Sequence, residues 1–197
     1  MSRISKLAIG GCLMTLGYLP VQNSAQPPQL TEGEETTEAT QHVNADLLFT
    51  RMKRLAGRWE TRSTKGWTGG ALVRVISRGS ALLFESEFDD NPDAGMATVY
   101  YLDKGRLLLT HYCEAKNQPT LMATEQSGDG KIIVFTFVSG TGMTSRDEGH
   151  MDKVVFKFTN DDSYTSQWTW YRAGSEKWLE EIEYRRLPRD AQSNRKS

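Results

Sequence analysis

Ten times between residues 58 and 186, a short run of aliphatic, β-branched and aromatic residues gives way to a cluster of turn formers. This punctuation leaves few folds open. The runs are Arg58–Ser63, Ala71–Ser77, Ala81–Phe88, Met96–Leu102, Arg106–Cys113, Thr120–Gln126, Lys131–Val138, His150–Thr159, Tyr164–Tyr171 and Lys177–Arg186. Gly69-Gly70, Arg78-Gly79, Asn91-Pro92-Asp93, Asp103-Lys104-Gly105, Gly128-Asp129-Gly130, Asn160-Asp161-Asp162 and Ala173-Gly174 stand between them. Strands joined by so few residues pair antiparallel with their neighbours in sequence. Ten strands in one small domain would expose long edges unless the sheet curls and closes on itself. The expected fold is all-β, an antiparallel up-and-down barrel of about ten strands.

A short helix is expected just before the first strand. Asn44 or Asp46 caps it, Leu47, Leu48, Met52 and Leu55 form its apolar stripe, and Gly57 ends it. Its stripe is expected to pack on an end of the barrel. The only long connection, Ser139 to Gly149, is a candidate lid with Met143 as its one large apolar residue.

The barrel domain takes up residues 46–187, and the remaining segments read differently. Arg3 and Lys6 precede an uncharged, mostly apolar run from Leu7 to Val21, and small residues follow at Ser24 and Ala25. This is the pattern of an export signal over residues 1–25, placing the mature chain in the periplasm or outside the cell. The run is too short, and too broken by Gly10, Gly11, Gly17 and Pro20, for a membrane span. Ile9-Gly10-Gly11-Cys12 loosely resembles a lipobox, which gives a minority reading in which a lipid anchors Cys12. Residues 26–45 form an acidic linker with Pro27, Pro28 and four glutamates, too poor in apolar surface to order itself. Residues 188–197 are a polar tail.

The whole chain has a formal charge of −1. Loss of residues 1–25 would remove Arg3 and Lys6, leaving 22 basic against 25 acidic residues, or −3. No basic stripe marks a nucleic-acid partner. Cleavage would also remove Cys12 and leave Cys113 alone, so packing rather than a disulfide must hold the fold.

Alternation along a strand separates the two faces of the sheet. Val154, Phe156 and Phe158, then Trp168 and Trp170, then Trp178, Ile182 and Tyr184 fall on one parity, opposed by lysine, threonine, glutamine and glutamate. The same parity turns His150 and Glu180 inward. Leu82, Phe84 and Phe88 form the apolar face of their strand. Arg106–Cys113 is apolar on both faces at Leu107–Leu109, so alternation leaves open whether His111 or Tyr112 points in. The stretch from Thr110 to Pro119, THYCEAKNQP, gathers an imidazole, a phenol, a thiol and two carboxamides. It is the first choice for one wall of a site.

Leu55-Ala-Gly-Arg-Trp59 resembles the Gly-x-Trp opening of lipocalins and related calycins. In that group the tryptophan closes one end of the barrel and often packs on an arginine of the last strand. The resemblance implies a structural role for Trp59 with Arg185 or Arg186. Thr-His-Tyr-Cys followed by Asn-Gln-Pro is similar to an uncharacterised family of exported bacterial lipocalin-like domains, over roughly Leu47 to Arg186. It implies a fold and carries no agreed activity. Haem-binding barrels of the nitrobindin kind are also ten-stranded calycins, with an axial histidine on a late strand, and His150 occupies a similar place. Their opening strand is glycine-rich and contains Tyr-Pro, whereas residues 58–66 here read RWETRSTKG.

The chemistry points to binding more than to catalysis. Zinc-type His/Cys spacing is missing, as is a Gly-x-Ser-x-Gly elbow, and an acid–base pair of Glu180 with a histidine rests on proximity alone. No catalytic residue and no metal ligand is assigned, and no cofactor apart from the haem alternative. The leading expectation is a small apolar or amphipathic molecule held inside the barrel by Phe84, Tyr100, His111, Tyr112, His150, Phe156, Trp168 and Tyr184. The alternative is a structural or interaction barrel whose aromatics fill it. A cavity under about 150 Å3 would favour that alternative, since ligand sites usually hold ~300–1,000 Å3.

Overall fold

The computed structural model describes residues 43–188. The segment read as an export signal, Cys12, most of the acidic linker and nearly all of the polar tail lie outside them. Among the described residues ten strands form one closed antiparallel barrel. In chain order they are β1 (Gly57–Ser63), β2 (Thr68–Ile76), β3 (Ala81–Phe88), β4 (Met96–Asp103), β5 (Arg106–Tyr112), β6 (Gln118–Gln126), β7 (Ile132–Thr141), β8 (His150–Asn160), β9 (Ser163–Arg172) and β10 (Ser175–Arg186). Each strand pairs with its neighbours in sequence, and β1 pairs with β10 to close the ring. Closure removes every free edge, as the run of short hairpins requires. Two of the tightest hairpins, at Lys104-Gly105 and Ala173-Gly174, place both turn residues at positive φ, the twist that suits a two-residue connection.

The helix α1 (Ala45–Lys53) packs against β4 and β5. Asn44 caps it, its Oδ1 accepting from the Leu47 amide at 3.1 Å. Ala45, Leu48, Phe49, Met52 and, beyond the helix, Leu55 are buried, whereas Leu47 is 67% exposed. Phe49 thus takes the place on the stripe that spacing had assigned to Leu47. A stripe through 45, 48, 49 and 52 follows the 3.6-residue period, and Leu47 falls off it.

The end of the barrel beneath α1 is sealed. Trp59 and Arg186 stand opposite one another across the β1–β10 closure, and the guanidinium lies 4.2 Å from the indole centre. The indole N–H donates to the Leu55 carbonyl at 2.8 Å. Arg186 also donates to the carbonyls of Arg54, Ala56 and Asp161, each at 2.8 Å, and pairs with the Asp162 carboxylate. Arg185 points the other way and pairs with Glu183 on the surface. Above the seal, Tyr164 meets Trp59 edge-on at 4.9 Å and stacks on Tyr184 at 4.3 Å. Phe135, Phe156 and Tyr100 continue the packing upward. Burial pushes the Tyr100, Tyr164 and Tyr184 phenols up, so all three are neutral fillers of the lower barrel.

Strict alternation fails at bulges. The β9–β10 register shifts between Trp178 and Glu180, so Trp178 leaves the inner face and is 53% exposed, while Glu180, Ile182 and Tyr184 keep it. The β8–β9 register shifts between Met151 and Lys153. An inserted residue moves the side chains beyond it out of phase. Counting back from Val154 therefore misplaces His150.

Candidate functional site

At the end away from α1, the barrel opens. A cup of about 590 Å3 lies among the ends of β3, β4, β8, β9 and β10 and the turns that join the strands there, walled by Trp67, Phe88, Ala94, Met96, Met151, Trp170 and Leu179. It tapers into a lumen of only about 40 Å3. The two share Trp67, Phe88, Met96, Met151 and Glu180, which form the throat. Room for a few waters is all the lumen offers. The lower barrel is thus filled by its own aromatics, and of these two connected spaces only the mouth has the volume of a ligand site.

Of the expected lining residues, Phe84, Tyr100, His111, Phe156, Trp168 and Tyr184 do face the lumen. Tyr112 does not. The pairing of Thr98 with His111 turns the imidazole inward, and the next residue, Tyr112, is 49% exposed on the outside. His150 also lies away from both cavities. β7 and β8 stop pairing after Thr136 and Lys153, and His150 sits in the seam where they part, covered by the 142–149 connection. Its Nδ1–H donates to the Glu148 carbonyl at 2.6 Å, and its Nε2 accepts from the Arg146 guanidinium. Arg146 in turn holds Asp152 and stacks between Phe137 and Tyr171. With both ring nitrogens engaged, His150 does not fit an axial haem ligand, and the lumen beside His111 is far too small for a porphyrin. The 142–149 connection is pinned at this seam rather than hanging free as a lid. Asn117 also ties it, donating from Nδ2 to the Gly149 carbonyl at 2.8 Å.

The polar groups of the throat are few and deeply set. His111 is 5% exposed, its Nδ1 is 2.9 Å from the Thr98 hydroxyl, and its ring lies 5.0 Å from that of Trp168. Burial lowers its pKa to about 4, so it is a neutral imidazole near pH 7. Its Nε2 is buried in the lumen wall without a hydrogen-bond partner among the described residues, as is the Thr61 hydroxyl. Glu180, opposite Trp168 in the sheet, is 8% exposed. Its Oε2 accepts from the Ser63 hydroxyl at 2.5 Å and the Trp67 indole N–H at 2.8 Å. Cys113 lines the cup, and burial raises its thiol pKa, so nothing there activates it as a nucleophile. Among the described residues no group of three or more His, Cys, Asp or Glu is gathered to hold a metal, and no helix is long and apolar enough to cross a membrane.

Trp67 and Met151 are central to this throat, and alternation pointed to neither. Trp67 lies in the turn before β2, where period-two reasoning has no grip, although a large aromatic beside Gly66 in a tight turn is itself unusual. Met151 takes the inward place that parity assigned to His150.

No family model matches the chain, and no curated protein matches it. Among solved structures, the crystal structure of Rv2717c from M. tuberculosis is similar, with a TM-score of 0.48 at 12% identity, covering 72% of this chain and 98% of that one.

Proposed function

We propose that this chain is an exported barrel that holds a small amphipathic molecule in the cup at its mouth. The observation that carries the reading is the shape of the cavity. About 590 Å3 of largely apolar, aromatic wall narrows onto a throat with a small number of fixed polar groups. Pockets of this size and make-up are the usual hosts of small ligands. At about 40 Å3 the lumen lined by the expected residues falls below the mark of about 150 Å3 and supports the filled-core alternative for that half of the barrel, so the ligand reading moves to the cup, which none of the eight expected residues lines. Export rests on the charged and apolar pattern of residues 1–25 and is checked by sequencing the N-terminus of the native protein. Gln26 is the expected first residue, and an intact Met1 would contradict it.

Binding is tested with an uncharged apolar fluorophore, N-phenyl-1-naphthylamine, excited by energy transfer from tryptophan. Saturable binding at one site is expected. Ala94→Trp, which fills the cup from a turn outside the barrel wall, should weaken it by about tenfold or more at unchanged melting temperature, since contacts in a well-packed pocket dominate affinity. A probe that fails to saturate, or that binds Ala94→Trp as well as the parent, would contradict the proposal.

A further inference from the structure

The throat contains a carboxylate that no described residue meets with an opposite charge. Burying a carboxylate is costly unless it is paired. Among the described residues no lysine, arginine or histidine lies within ion-pair distance of Glu180. Ser63 and Trp67 both donate to Oε2, and Oε1 accepts from no described residue. Glu180 lines both the cup and the lumen, so its free oxygen has space before it instead of a protein partner. The rim adds the same sign, with Asp90 and Glu114 lining the cup against Lys65 alone. His111, neutral near pH 7, brings no compensating positive charge.

The surrounding walls suit a cation for a second reason. Trp67, whose N–H is already committed to Glu180, and Phe88 meet edge to face at 4.8 Å beside the throat, and Trp168 and Trp170 flank it on β9. Aromatic faces attract ammonium groups through the ring quadrupole, and a carboxylate among them adds direct charge and a hydrogen-bond acceptor. A cleft lined by one sign of charge with low-dielectric walls also raises the local concentration of the opposite ion.

Building on the cup as a ligand site, we infer that its ligand is an amphipathic organic amine. The protonated amine sits at Glu180 in the throat, donating to Oε1 among Trp67, Trp168 and Trp170. The apolar part lies outward along Phe88, Met96 and Leu179, because the lumen below has no room for a tail.

Calorimetric titration with octylammonium, 1-octanol and octanoate separates charge from apolar area, since the three share one tail. Octylammonium should bind about tenfold or more tighter than octanol, the ordinary worth of one charge-assisted hydrogen bond, and octanoate weakest. Glu180→Gln keeps an amide oxygen to accept from Ser63 and Trp67 while removing the charge. It should bring octylammonium down to the level that octanol shows on the same variant. The comparison of three ligands on the parent protein stands even if that variant folds poorly. Octanol or octanoate binding as tightly as octylammonium would overturn the amine assignment and leave the cup as an apolar site. Binding by none of the three would overturn the assignment and count against the ligand site itself.

Discussion

Two residues of opposite character fix the barrel's two ends. Trp59 is buried at the base with its N–H satisfied and its face covered by Arg186, which satisfies three carbonyls and one carboxylate as well. Truncating a buried large aromatic costs about 3–5 kcal/mol, and Trp59→Ala should show that loss in urea unfolding. A loss under about 1 kcal/mol would mean that the seal carries little of the stability. At the other end, His111 couples stability to acidity. The unfolded chain protonates it near its ordinary value of 6.5, and the folded chain only near about 4. Between those values the unfolded state holds the extra proton, so stability falls as pH drops from about 6.5 to about 4, and this contribution levels off below. Its full size is about 3 kcal/mol, at 1.36 kcal/mol per pH unit. His111→Gln should flatten that part of the stability curve relative to the parent, in urea melts at several pH values. Parallel curves would show that the imidazole titrates alike in both states.

At the scale of elements, the bulges decide what alternation can and cannot reveal. The strands were legible because each is short, apolar on one side and closed by turn residues. Inward placement was legible for Phe84, Phe156, Trp168 and Tyr184, which lie within regular pairing. It failed for His150 and Trp178, each just beyond a register shift that has no local sequence mark. Tyr112 and His111 were indistinguishable because Leu107, Leu108 and Leu109 are all buried, although Leu108 is not part of the core cluster that holds the other two. This parity reversal has a direct check. Trp178→Ser should change stability by less than about 0.5 kcal/mol, as for an ordinary surface site, whereas Trp168→Ala should cost about 3–5 kcal/mol. Equal losses at the two positions would place Trp178 back inside.

For the whole molecule, a closed ring of ten strands needs no disulfide, and its one solitary described cysteine is spent on the cup wall. The base is sealed by α1, Trp59 and Arg186, the middle is filled by tyrosines and phenylalanines, and the mouth opens into the cup. The five tryptophans sample this layout: Trp59 at the base, Trp67, Trp168 and Trp170 around the throat, and Trp178 outside. Their indole N–H signals in a 1H–15N correlation spectrum therefore report the location of a bound molecule in one titration. With octylammonium or N-phenyl-1-naphthylamine added to saturation, the Trp67 and Trp170 signals should move most and Trp168 with them, while Trp59 and Trp178 stay in place. Shifts confined to Trp178, or no shift in any of the five at saturating probe, would contradict a binding cup at the barrel mouth.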